Sequence, residues 1–339
     1  MALPVYWYDF VCFGIVGASF AGSLWVLWRK EIASRNDYDI DSNSIIYESL
    51  LVARPDTDCF VDAMPPNHVG SSQLWTSCWK GVHPGWLLAT RFTSFMVLGG
   101  FILWDLSEWD ASTLVMYYTE WTYALVMLYF ALASVTSAYG IWFASDESVH
   151  LNGEFLRNDV EDISVSNSIK IKGKIKLQSH YAEEAIKLRA GIWGYFMQTI
   201  YQTCAGAVIL TDIVFWCVIV PFGSNAHLGL NLLMGCLHTL NAVFLILDTA
   251  LNNLPFPWFR LAYFVQWSCL YVVFQWVVHA CGMTWWPYPF LELDVPWAPF
   301  WYLALAVVHI PCYGIYALIV KAKNSILARW FPHAFVRSY

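Results

Sequence analysis

Apolar residues arrive along this chain in seven blocks of about 20, the length that crosses the hydrocarbon core of a bilayer. They run from Tyr6 to Trp28, Trp86 to Trp104, Val115 to Phe143, Gly191 to Val220, Leu228 to Leu251, Trp258 to Ala280 and Ala298 to Val320. Backbone N–H and C=O groups in hydrocarbon need partners within the chain, so helices are the expected solution. A β-barrel would alternate polarity over ten-residue segments, a pattern absent here. The first block has no Lys or Arg before it, and its apolar run is too long for the core of a cleaved signal peptide. It reads as a retained helix. The expectation is an all-α, polytopic helical bundle forming a single membrane domain.

Composition agrees. Of 339 residues, 58% are hydrophobic, 18% aromatic and 13% charged, with a mean hydropathy of +0.49. A soluble domain carries roughly 25% charged residues, so this chain lacks the charge to cover a water-facing surface.

Charge then gives the bundle a direction. All 18 Lys and Arg residues fall on one side of the seven-block arrangement. Arg29, Lys30, Arg35, Arg54, Lys80 and Arg91 lie between or beside the first two blocks, and Arg157 to Arg189 between the third and fourth. Arg260 opens the sixth, and Lys321 to Arg337 follow the seventh. The opposite connections hold Glu108, Asp110, Glu292 and Asp294. Basic loops are retained in the cytosol, which predicts an N-terminus outside and a C-terminus inside. The long connections 29–85 and 144–190 are then cytosolic, look weakly ordered, and are the segments for contacts with cytosolic proteins. The run Lys170-Ile-Lys-Gly-Lys-Ile-Lys176 also suits anionic lipid. Membrane lipids are the expected surroundings, in an endomembrane or the plasma membrane, and no nucleic-acid partner is expected. Of nine cysteines, Cys217 and Cys281 are the two near the outer face, where a disulfide is conceivable but not required.

Polar groups within hydrocarbon are costly and mark candidate sites. The fifth block is the richest: Asn231, His238, Asn241, Asp248 and Asn252 share a stripe roughly 100° wide at helical periodicity. His238 stands out because imidazole titrates near neutral pH and serves as a general base. Gln198, Gln202 and Asp212 of the fourth block share a face that could meet this stripe. Simple interhelical hydrogen bonding is the plainer account of such groups. The third block opens Tyr117-Tyr-Thr119-Glu120-Trp-Thr122. A threonine hydroxyl becomes a nucleophile when a base removes its proton, although most membrane threonines bond their own helix. No metal site is expected, since no His-x-x-x-His or His-Glu-x-x-His pair occurs. No cofactor is expected either.

The segments Trp79–Phe92, Tyr117–Leu125 and His238–Asp248 resemble a plant family of uncharacterised multi-pass membrane proteins and the animal rolling-stone-like proteins. More remotely, the helical core resembles the androgen-induced and androgen-dependent membrane hydrolases of fatty acid esters of hydroxy fatty acids, which use an intramembrane Thr and His. That resemblance implies Thr119 as nucleophile and His238 as base, acting on a lipid ester. Glu120-Trp121 replaces an apolar pair of that family, and Thr122 stands where an Asn is usual. Two readings follow: an intramembrane Thr/His lipid ester hydrolase, or a non-enzymatic membrane scaffold, receptor-like protein or small-solute carrier.

Overall fold

A computed structural model describes residues 6–51, 69–158, 190–222 and 230–338, with side chains beyond the membrane-facing parts of the long helices left out at 32–51 and 144–158. The described chain is a bundle of eight helices. They are α1 (Trp7–Leu51), α2 (Pro84–Glu108), the single turn α3 (Ala111–Leu114), α4 (Tyr118–Asn158), α5 (Ile192–Val214), α6 (Leu232–Leu251), α7 (Leu261–Ala280) and α8 (Ala298–Trp330). Seven of these are long and apolar enough to cross a membrane. The chain is therefore a multi-pass integral membrane protein.

Local chemistry explains where the helices begin. Pro84 occupies the first turn of α2, where its missing N–H costs nothing, and the His83 ring nitrogen accepts from Gly85 N at 3.0 Å. Asn231 caps α6, accepting from Met234 N at 2.7 Å. At α4 the partner comes from outside the helix: the Tyr288 hydroxyl, from the segment between α7 and α8, accepts from Tyr118 N at 3.2 Å. That bond satisfies one of the donors a helix start leaves open. Near its far end α5 widens into a π-helical turn, Phe215–Ile219, before closing with Val220–Phe222.

Helix α5 is the hub. It touches α4, α6, α7 and α8, and 56% of its most apolar window is buried, against 17% for α1. Helix α1 lies on α7 and α8, and α2 on α4 and α6. Close approach to the hub depends on Gly206, where a Cβ would strike the Phe264 ring.

The ends of the helices differ from expectation in one consistent way. The polar continuations of α1, α4 and α8 remain helical well past the apolar blocks, so α8 continues from the expected Val320 to Trp330. Residues 69–82, expected as weakly ordered loop, fold back onto the bundle with Val69, Leu74 and Cys78 buried. Cys78 N donates to Leu251 O at 2.9 Å, and Trp79 lies between Phe331 and Phe335. The segment after α8 returns to the same place. Lys80 N donates to Ala334 O at 2.7 Å and Val336 N to Cys78 O at 2.8 Å. This clamp marks the end of the bundle that carries the basic residues. The run Lys170–Lys176, Pro55, Pro65 and Pro66 lie outside the described residues.

Candidate functional site

The polar stripe of α6 does not serve one site. Its residues divide by depth between two clusters, because each meets different neighbours, and a further polar cluster lies off the stripe around Gln202.

At the basic end, Asp248 is fully buried and forms an ion pair with Arg91 of α2, also fully buried, at 2.8 Å. The Tyr129 hydroxyl of α4 and Asn252 Nδ2 donate to its other oxygen at 2.5 and 2.8 Å. Arg91 Nη1 donates to Leu74 O and Ser137 Oγ, both at 2.7 Å, while its Nη2 has no described hydrogen bond. Lys323 of α8 donates to Asn252 O at 2.6 Å. Most of the buried polar atoms here have protein partners, which helps a buried ion pair persist. This cluster joins α2, α4, α6 and α8 and offers no reactive group to a substrate.

A second cluster surrounds Gln202. It accepts from Arg260 at 3.2 Å and, with Gln198, donates to Pro255 O at 2.8 and 3.0 Å. Gln202 therefore faces the turn after α6 and the start of α7 rather than the α6 stripe. Arg91 and Arg260 read in sequence only as orientation signals. Nothing in a single chain's periodicity shows that both point inward, since their partners lie 157 and 58 positions away.

The third cluster holds the candidate base. His238 is 1% exposed. Its ring stacks on Phe215 at a centroid distance of 3.8 Å and an interplanar angle of 5°. Its Nδ1 lies 3.8 Å from Asp212 Oδ1, which also accepts from Asn241 Nδ2 at 3.3 Å. The Trp216 indole donates to His238 O at 3.2 Å. Phe215 and Trp216 open the π-helical turn of α5, and π-turns inside α-helices recur at functional sites. Asp212, His238 and Asn241 are thus brought together as the facing-stripe expectation requires.

Thr119 is 5% exposed at the start of α4. Its recorded partner is the Tyr288 hydroxyl, which engages both Thr119 and the backbone of Tyr118. Burial pushes the Tyr288 phenol above its ordinary range, so it stays a neutral hydrogen-bond donor at physiological pH. Tyr288 has no sequence signal beyond being one of many aromatics near a membrane surface. No described hydrogen bond joins Thr119 to His238. Among the described residues, no group of three His, Cys, Asp or Glu side chains is placed to hold a metal ion. Cys217 and Cys281 are both free and exposed, so the conceivable disulfide between them is not formed.

Comparison with protein-family models, curated proteins and solved structures returned no match.

Proposed function

We propose that this membrane protein is an intramembrane lipid ester hydrolase built on Thr119 and His238. The observation that supports the reading is the carboxylate of Asp212 beside the imidazole of His238, 3.8 Å away in a nearly dry interior. Drawn in from 3.8 Å to hydrogen-bond distance, a carboxylate at one ring nitrogen would fix the tautomer and leave the other nitrogen to take a proton. In the reaction, Thr119 Oγ attacks the acyl carbonyl and His238 accepts its proton. The alcohol leaves with that proton, and water then releases the acid by the reverse path. Tyr288, a neutral donor already beside Thr119, is suited to the oxyanion. The remote resemblance of Tyr118–Thr122 and His238 to the Thr/His membrane hydrolases adds the substrate class, an acyl ester dissolved in the bilayer.

The test is a fluorophosphonate probe applied to the full chain in lipid nanodiscs. Labelling is expected to disappear in Thr119→Ala and His238→Ala and to fall in Asp212→Asn. Labelling that survives both alanine variants removes the assignment. A non-enzymatic scaffold, receptor-like protein or carrier is the second reading, favoured by the separate hydrogen-bond partners of Thr119 and His238. Under it, neither alanine variant changes function, and cytosolic proteins bind through 29–85 or 144–190.

A further inference from the structure

Two carboxyl groups near the acidic end of the bundle, Asp105 and Glu120, carry buried oxygens without a described hydrogen bond. Asp105 of α2 is fully buried, and neither of its oxygens has a hydrogen bond among the described residues. Glu120 of α4 is 7% exposed, with Oε2 likewise unpartnered. The charges that act on them are also carboxylates, Asp105 on Glu120 and Glu108 on Asp105. The buried charges of the basic-end cluster contrast with this. Arg91, Asp248 and Lys323 all carry hydrogen bonds to protein partners. Buried polar atoms without partners are rare in native folds and call for an explanation.

The surroundings supply one. Glu120 lines a cavity of about 410 Å³ between α2, α4 and α7. Its walls are otherwise apolar, with Ile102, Leu106, Val115, Trp121 and Leu128 among them. Leu106, Val115 and Leu128 are each more than 40% exposed, so the cavity opens sideways, toward the acyl chains. Two indoles, Trp121 and Trp267, stand on its wall with ring centroids 5.5 Å apart. An unpartnered carboxylate, aromatic faces and an apolar trough open to the bilayer together define a complement. It is a cation that stacks favourably on indole and carries an apolar tail.

We infer that the groove between α2 and α4 is a binding site for a long-chain primary amine, entering laterally from the bilayer with its ammonium at Glu120. The ammonium supplies donors for the unpartnered Oε2, Asp105 adds negative charge from behind the wall, and the tail lies along Leu106 and Leu128. The inference is independent of the hydrolase reading, and its test reads binding rather than turnover.

The probe is a diazirine-bearing long-chain primary amine, with its N-acetyl derivative as the neutral counterpart. Both are photolysed with the full chain in phosphatidylcholine nanodiscs. The amine is expected to crosslink saturably within residues 102–128 and to be competed by hexadecylamine. The N-acetyl derivative should crosslink there at least about tenfold less, the factor expected for losing a charged hydrogen bond. Glu120→Gln should give a similar loss. Ala124→Leu keeps both carboxyls and narrows the groove at an exposed position. It should also lose the crosslink, and it decides the matter if Glu120→Gln does not fold. Equal crosslinking by the neutral derivative, retention in Ala124→Leu, or crosslinks mapping elsewhere would overturn the inference. The first of these would leave the carboxyls as a protonated pair that holds no ligand.

Discussion

Replacing Arg91 with Met tests whether the polar cluster at the basic end holds the bundle together. The substitution keeps an unbranched apolar stem of similar reach and removes the charge. Asp248 then loses its counter-ion but stays fully buried, still accepting from Tyr129 and Asn252. Leu74 O and Ser137 Oγ lose a donor at the same time. Removing one member of a buried pair costs about 3–5 kcal/mol, chiefly because the remaining charge has no compensation. The two retained donors to Asp248 place the expectation near the lower end, at about 3 kcal/mol. At roughly 2 °C per kcal/mol for a chain of this size, the apparent melting temperature falls by about 6 °C. The assay is detergent-solubilised protein heated at one fixed rate and scored by monodispersity, since membrane proteins often unfold irreversibly. The double variant Arg91→Met/Asp248→Leu removes both charges, and it should be closer to the parent than Arg91→Met alone. The reasoning fails if Arg91→Met is no worse than Arg329→Met, or if the two substitutions simply add.

Other expectations follow from single contacts. Lys323→Met removes the donor to Asn252 O, costing about 1.5–3 kcal/mol in the same thermal assay; an unchanged melting point would place that carbonyl's partner elsewhere. Gly206→Ala drives a methyl into the Phe264 ring, and overpacking of this kind costs about 1–3 kcal/mol; a neutral outcome would mean that α5 and α7 can separate freely. Gly140→Ala would do the same to the Trp75 ring and should loosen residues 69–82, read as faster proteolysis of that segment. In sealed vesicles a membrane-impermeant maleimide should reach exposed Cys281 only from the face opposite the one that presents Lys321 and Arg329, as the basic-inside orientation requires. Labelling of Cys281 from the same face as those basic residues would refute the topology.

The spans were legible because hydrocarbon imposes a single rule on twenty successive residues, and that rule shows in one dimension. Their extensions were not. Past Leu27 of α1 and Val320 of α8 the residues turn polar, and a helix in water carries no such signature unless one face packs. The α6 stripe was legible as a stripe, yet its division between two clusters was not. His238 and Asp248 are ten residues apart, about 15 Å along the axis at 1.5 Å per residue, so they meet different neighbours although they share a face. Asp212 was foreseen opposite the stripe and meets both His238 and Asn241. Gln202 shares its face by periodicity but sits ten residues earlier on α5, level with Pro255 and Arg260. Arg91 and Arg260 escaped notice as interior groups because a basic residue near a membrane boundary already has a sufficient explanation in topology. Tyr288 escaped because its role depends on a connection folding back over the start of α4.

The clamp at the basic end also sets an order of assembly. Cys78, Lys80 and Val336 exchange backbone hydrogen bonds across about 250 positions of chain, and Lys323 reaches Asn252 O from the final helix. Contacts of such separation form late, after the intervening loop entropy has been overcome. During synthesis the helices preceding α8 can be in the bilayer while the 69–82 segment, already able to meet Leu251 O, still lacks its partners Ala334 and Val336 and the carbonyl of Asn252 has no ammonium beside it. A ribosome-associated chain stopped before residue 331 should therefore display Cys78 to thiol reagents, and the released chain should conceal it.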